Sequence, residues 1–367
     1  MKITKTYLRR IIKEEIASRY TSKMTMSKFL FEDTEGDDEA SDAPDDLDAA
    51  YARGPEGVRA FMDAQGNKDP EIQKILVKAS ADDDGSDPDD KINVGSATPI
   101  EVSALGPTQQ FIDLMQSVSF PLGSAEVLEK AITSKTSGAP GAISISGDAV
   151  LDGHHRWSGV YAITPDGNIS SKNFEFPGSI ADKLAAAQLA VAAVNDSGTQ
   201  PSKGGGAATD IVGKSKDEIV KMIDANKGKQ TDPDAPGPLL NDKMIQAIAD
   251  GDHPAINSWA NIPEDAEFVT LSDSSAGFEN DPIRKAIADR VGENLGDLPK
   301  PLDGAPSSRE DMPQLDHESI GGKSGLEKIE KGLPAGEFNV VPPFQKESKS
   351  HDQLVTERWH KLAGLVR

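Results

Sequence analysis

The chain has 367 residues, a formal net charge of −22 and no cysteine, which excludes disulfides, thiolate nucleophiles and cysteine-based zinc sites. Only 36% of the residues are hydrophobic and 5% aromatic, while 33 Gly and 24 Pro interrupt the chain. We therefore expect one compact domain of about 100 residues, a smaller helical region and long linkers. No stretch approaches the roughly 18 apolar residues of a membrane span, so no signal peptide or transmembrane segment is predicted.

The first segment, residues 1–31, is basic, with eight Lys and Arg against two Glu. Within residues 1–20, apolar side chains recur every fourth position, as at Leu8, Ile12 and Ile16. This spacing predicts an amphipathic helix with Lys and Arg on its other face. Such a helix either docks on a partner or a membrane surface, or packs on its own domain.

The next segment, residues 32–92, is acidic, with twenty Asp and Glu against six Lys and Arg. A block of like charges repels itself, so we expect a mostly disordered linker. Short helices are predicted within it at 47–64 and 70–79. The linker separates the basic helix from the domain that follows.

Regular elements are predicted from residue 93 to residue 197, the central domain. They are, in order, a strand at 97–105, helices at 107–118 and 123–133, a β-hairpin turning at Gly147-Asp148, a helix at 154–163, a strand at 167–176 and a helix at 179–194. Strands and helices do not alternate regularly along this segment. The order therefore predicts an α+β fold rather than a parallel βαβ fold.

The remainder of the chain is predicted to be helical and punctuated by linkers. In order, it contains a Gly/Ser-rich linker at 198–209, a small helical region at 210–297 with helices at 215–226, 238–250 and 281–294, a Pro/Gly-rich linker at 298–349 and a C-terminal helix at 350–367. No internal repeat is visible.

The stretch LDGHHRWSG carries the strongest chemical signal. A strand ending at Asp152-Gly153 and entering a helix at His154 leaves backbone N–H groups at the helix N-terminus, which favour an anion such as phosphate. Arg156 adds a fork of donors, and either His154 or His155 a further donor. Alternatively, the Asp-Gly pair is an ordinary helix cap. Adjacent helical histidines point about 100° apart, so no metal site is predicted.

The string AVLDGHHRW, together with a strand and a Pro-Thr-Gln segment about forty residues earlier, resembles the ParB/sulfiredoxin superfamily over about 100 residues. The resemblance implies a ParB/sulfiredoxin-like central domain that binds nucleotide phosphates at this helix N-terminus. It also implies ATP or CTP with Mg²⁺ as the ligand. The ligand-binding residues that it implies are Gly153, His155, Arg156, Thr108 and Gln109.

Departures from the family pattern narrow the resemblance. Sulfiredoxins have a catalytic cysteine where this chain has His154, so sulfiredoxin chemistry is excluded. Partition-type ParB proteins have a glutamate at that position and bind DNA, whereas residues 93–197 carry five Lys and Arg against ten Asp and Glu. We therefore expect no duplex DNA binding by the central domain.

The Asp-Gly-His-His-Arg form is most similar to free serine kinases of the superfamily and to ParB-like proteins of tailed phages. In the kinases a carboxylate is the general base, which makes Glu101 and Asp152 candidate catalytic residues beside His154 and His155. The opening KITKTYLRRIIKEEI resembles short N-terminal peptides of marine phage proteins.

Two functions follow from these resemblances. One is a virion- or assembly-associated phage protein that docks through residues 1–20 and uses the domain only to bind a phosphate ligand. The other is an active phosphotransferase or ParB-like nuclease. Either protein would reside in the virion or the host cytoplasm, and a binding-only protein would need no cofactor.

Overall fold

The computed structural model of the protein describes residues 49–50, 53–65, 92–139, 141–194, 209–230, 232–306, 311–315, 320 and 322–336. The helices predicted within 1–31, at 70–79 and at 350–367 lie outside the described residues. The described part contains helices and one mixed five-stranded sheet, which confirms the α+β class.

The sheet has the strand order β1-β5-β3-β4-β2. Its strands are β1 (Thr98–Glu101), β2 (Gly106–Pro107), β3 (Ile143–Ser146), β4 (Ala149–Asp152) and β5 (Asn168–Asn173). The pairs β1–β5 and β3–β4 are antiparallel, whereas β3–β5 and β2–β4 are parallel. The β3–β4 hairpin turns through Gly147, whose φ of 65° is readily adopted by glycine, as the sequence predicts.

Helices pack on both faces of this sheet. They are α1 (Gly54–Gln65), α2 (Leu114–Val118), α3 (Ala125–Ser134), α4 (His154–Ile163), α5 (Ile180–Val194), α6 (Lys216–Asn226), α7 (Asp242–Ala249), α8 (Pro254–Ala260), α9 (Pro282–Gly296) and α10 (Lys323–Ala335).

The prediction of a helix from residue 107 is wrong, because Gly106 and Pro107 pair with β4 instead. Helix α2 starts only after Asp113, whose carboxylate accepts a hydrogen bond from the Gln116 N–H at 2.8 Å.

One hydrophobic cluster, the first core cluster, covers one face of the sheet and extends through the helices that follow residue 209. Its members from the central domain include Ile145, Leu128 and Trp157, and its members from the later helices include Ile219, Ile245, Ile287 and Val291. All of these side chains are buried. The predicted linker at 198–209 therefore separates two parts of the sequence that share one core.

The opposite face of the sheet is covered by the second core cluster, in which Leu151 of β4 packs with α5, α1 and α10. Helix α10 lies inside the segment that the sequence indicates as a Pro/Gly-rich linker, residues 298–349. Ile329 and Leu333 of this helix are fully buried. Its apolar spacing stabilises it within this cluster despite the surrounding Pro and Gly.

Helix α4 is held at its C-terminal end by side chains from the later helices. The Asn294 side-chain amide donates to the carbonyl groups of Ala162 and Ile163 at 2.9 and 3.0 Å. The Trp259 indole N–H donates to the Ile163 carbonyl at 2.9 Å. These bonds satisfy carbonyl groups that the end of a helix leaves without intrahelical donors.

Cleavage of the full chain within 198–208 should leave the two fragments bound to each other. The Gly/Ser-rich composition makes this segment a preferred protease site, but separating the fragments would expose buried side chains at roughly 1.5–3 kcal/mol each. Size-exclusion chromatography after limited proteolysis should show one species that denaturing electrophoresis resolves into two bands. Elution of two separate fragments would show that the shared core does not hold them together.

Candidate functional site

The predicted corner forms where β4 ends and α4 begins. Gly153 is the N-cap of α4, with a left-handed φ of 92°, and as a glycine it contributes no side-chain acceptor to the first turn. The regular helical bonds begin with the Trp157 N–H, which donates to the Gly153 carbonyl at 3.0 Å. The first turn of α4, residues 154–156, therefore forms the positive end of the helix dipole.

The guanidinium of Arg156 lies beside this helix start. Its Nη1 donates to the Ala142 carbonyl at 2.8 Å. A Cβ atom built on Gly141 would be 2.6 Å from Nη1, and one built on Gly153 would be 3.1 Å from Nη2. Within the ranges that the structure describes, no carboxylate forms an ion pair with this half-buried guanidinium. The corner thus combines a fixed cation with the positive end of a helix.

The two histidines hold the loop that carries the Pro-Thr-Gln segment. The Thr108 N–H donates to Nε2 of His154 at 3.1 Å, and the Asp113 N–H donates to Nε2 of His155 at 3.2 Å. A ring nitrogen that accepts from an N–H carries a lone pair, so these bonds assign both rings the neutral form with the proton on Nδ1. Neither ring presents Nε2 to a ligand. The geometry gives both histidines a positioning role for residues 108–113.

Thr108 and Gln109 lie at the corner but are buried. The Thr108 hydroxyl donates to the Val150 carbonyl of β4 at 2.5 Å, so its one donor is used within the protein. The Gln109 side-chain amide donates to the carbonyl of Phe111. Gln109 is 5% exposed and Thr108 is fully buried. Their side chains therefore shape the loop.

The two candidate carboxylates occupy different places. Asp152 is the last residue of β4 and pairs with Ser144 across the hairpin, directly before the Gly153 cap. Glu101 ends β1, the edge strand opposite β2, where its exposed side chain accepts a hydrogen bond from the Ser103 hydroxyl. Among the described residues, no hydrogen bond joins Glu101 to the corner. The structure therefore brings Asp152, and not Glu101, to the helix start.

Asp113 is a site residue that the sequence reasoning missed. Its N–H contacts His155, and its carboxylate caps α2 and accepts a hydrogen bond from the Thr209 hydroxyl. The cap could have been recognised from an Asp standing directly before an apolar helical run. The contact with His155 could not, because it joins residues that are 42 positions apart.

A concave region lies away from the corner. It is an open cleft of about 720 Å³ between the starts of α1 and α5 and the segment 304–306. Two residues that line it are hydrogen-bonded to each other: the Ser179 N–H and hydroxyl donate to the Asp182 carboxylate at 2.8 and 2.7 Å. None of the corner residues lines this cleft.

The described ranges contain no helix long and apolar enough to cross a membrane. They also contain no group of three or more His, Asp or Glu side chains arranged to hold a metal ion. A scan against protein-family models, a search of curated proteins and a search of solved structures each found no match to this chain.

Proposed function

We propose that the corner formed by residues 152–156 binds the phosphate of a nucleotide. The observation that carries this proposal is the Arg156 guanidinium, which is fixed by the Ala142 carbonyl beside a glycine-capped helix start and has no ion pair in the described ranges. A bound phosphate would lie at the positive end of the helix dipole and supply a counter-charge to Arg156. The resemblance to the ParB/sulfiredoxin superfamily favours ATP or CTP as the ligand.

Binding is supported better than catalysis by the geometry of the corner. Both histidines use Nε2 to hold the 108–113 loop, and Glu101 lies on another strand. The alternative, a phosphotransferase or nuclease, would therefore rest on Asp152 as the general base. Mg²⁺ would be compatible with either function, because it is commonly held by one or two carboxylates together with substrate phosphates.

Replacing Arg156 by Ala should lower the affinity of the full chain for ATP or CTP about tenfold to a hundredfold. The reason is the loss of a charge-assisted, bidentate contact of about 1.5–3 kcal/mol. Arg156→Lys should give an intermediate affinity, because it keeps the charge but loses the planar fork. Isothermal titration calorimetry in the presence of Mg²⁺ measures all three proteins.

The matched control is Arg290→Ala, which removes the same charge from α9, where Arg290 pairs with the exposed Glu293. This variant should bind like the wild type. Equal affinities of the wild type and Arg156→Ala would make the arginine purely structural, and a wild type that binds neither nucleotide would refute the proposal. ADP formation that is lost in Asp152→Asn, while binding persists, would favour the enzymatic alternative.

Association with phage particles through residues 1–20 is the second half of the proposal. It rests on the basic amphipathic pattern and on the resemblance to phage peptides, and these residues lie outside the described ranges. The absence of duplex DNA binding by the central domain likewise stays a prediction from its net charge of −5 (five basic minus ten acidic residues).

A further inference from the structure

Phe111 is an exposed aromatic side chain in the loop that the two histidines hold. Its side chain is 41% exposed, whereas that of its neighbour Ile112 is fully buried. Among the described residues it is the one large hydrophobic side chain that is exposed to this degree. A single exposed apolar residue needs no explanation by itself, so its position has to carry the argument.

The position of Phe111 is next to the phosphate corner. The loop is attached to the first turn of α4 at both ends, through Thr108 to His154 and through Asp113 to His155. Phe111 is two residues from Asp113, so the Cα atoms of these two residues are at most about 7 Å apart. Phe111 therefore lies in a loop that is tethered to the first turn of α4.

The backbone around Phe111 is fixed before any ligand binds. The Phe111 carbonyl accepts the Gln109 amide, and the Gln110 amide donates to the Ala305 carbonyl at 3.2 Å. On the other side, the Ile112 N–H donates to the Asp210 carboxylate at 3.0 Å. A rigid loop that presents an aromatic ring to solvent loses little conformational entropy when a flat ligand binds to it.

We propose that Phe111 is a stacking surface for the base of the nucleotide whose phosphates bind at residues 153–156. The inference rests on the proposed function and deepens it, because it names the residue that contacts the base of the nucleotide. Every base offers a π face to an aromatic ring, so stacking on Phe111 adds affinity without selecting strongly among bases. Discrimination between adenine and cytosine would then depend on contacts other than Phe111.

The test compares ligands with and without a base on the full chain. Calorimetry should show that wild type binds ATP and CTP more tightly than inorganic tripolyphosphate. Phe111→Ala should weaken binding of both nucleotides about fivefold to a hundredfold and leave tripolyphosphate binding unchanged. Phe111→Leu, which is apolar but lacks a π face, should behave like Phe111→Ala, and Phe111→Tyr should retain wild-type affinity.

Tryptophan fluorescence at position 111 reports stacking of the base directly. In Phe111→Trp, ATP should quench the added tryptophan emission, tripolyphosphate should not, and the wild-type emission should change little with either. If the nucleotides bind no more tightly than tripolyphosphate, and Phe111→Ala changes neither, the stacking role is refuted while phosphate binding stands. If wild type binds none of the three ligands, both proposals fail.

Discussion

Replacing Arg284 by Met should lower the free energy of unfolding by about 3–5 kcal/mol, because it leaves a buried carboxylate without its partner. The guanidinium is fully buried and donates to the carbonyl groups of Leu240 and Val269, each at 2.7 Å. It also pairs with Asp281 at 2.5 Å and with Asp242 at 2.6 Å. Asp281 is as fully buried as the arginine, so water cannot replace the lost cation without opening the core.

Urea denaturation followed by circular dichroism measures this effect. The control is Lys285→Met on the same helix, which removes an equal charge from an exposed pair with Asp289. Exposed pairs of this kind contribute about 0.3–0.5 kcal/mol, so the control should unfold almost like the wild type. A destabilisation in Arg284→Met no larger than that of the control would show that the buried network does not support the fold.

Replacing Gly153 by Ala should destabilise the protein by about 2–4 kcal/mol and weaken nucleotide binding. The residue has a φ of 92°, which is strained for any residue with a side chain. The added Cβ would also lie 2.5 Å from Cγ2 of Ile143 in the buried strand β3 and 3.1 Å from Nη2 of Arg156. Overpacking of this kind costs about 1–3 kcal/mol beyond the backbone strain.

Gly251→Ala separates the backbone strain from the overpacking by the added Cβ. Gly251 has a φ of 82°, and a Cβ atom built there meets nothing within 4 Å. This variant should therefore show only the backbone strain, about 1 kcal/mol, and should bind nucleotides normally. Thermal melts and calorimetry on both variants make the comparison. Equal losses of stability would mean that the packing against Ile143 and Arg156 adds nothing.

Local signals in the sequence predicted the elements that build the corner. The Gly147-Asp148 turn, the start of α4 at His154 and the apolar spacing of α5 all depend on neighbouring residues, and the structure contains each of them. The prediction failed at the Pro-Thr-Gln segment. There, a two-residue parallel pairing of β2 with β4 overrides the helical spacing, and parallel pairing joins segments that no local pattern connects.

Composition was also misleading in the second half of the chain. Gly and Pro around α10 indicated a linker, but the burial of Ile329 and Leu333 in the second core cluster stabilises a helix. Of the candidate site, Gly153 and Arg156 could be chosen from the turn and from their residue types. The attachment of both histidines to the 108–113 loop could not, because hydrogen bonds across more than forty positions leave no periodic signal.

The anchoring of α4 by Asn294 sets an order of events during synthesis. The Asn294 side-chain amide donates to the carbonyl groups of Ala162 and Ile163, which precede it by 132 and 131 positions. The C-terminal end of α4 therefore stays without this partner until α9 has been made. At roughly 5–20 residues per second, a ribosome needs about 7–26 s to add that length of chain. Contacts of such separation close slowly. The C-terminal end of α4 is therefore completed late, and a nascent chain that stops short of α9 carries the whole Asp-Gly-His-His-Arg motif on a helix that lacks this support.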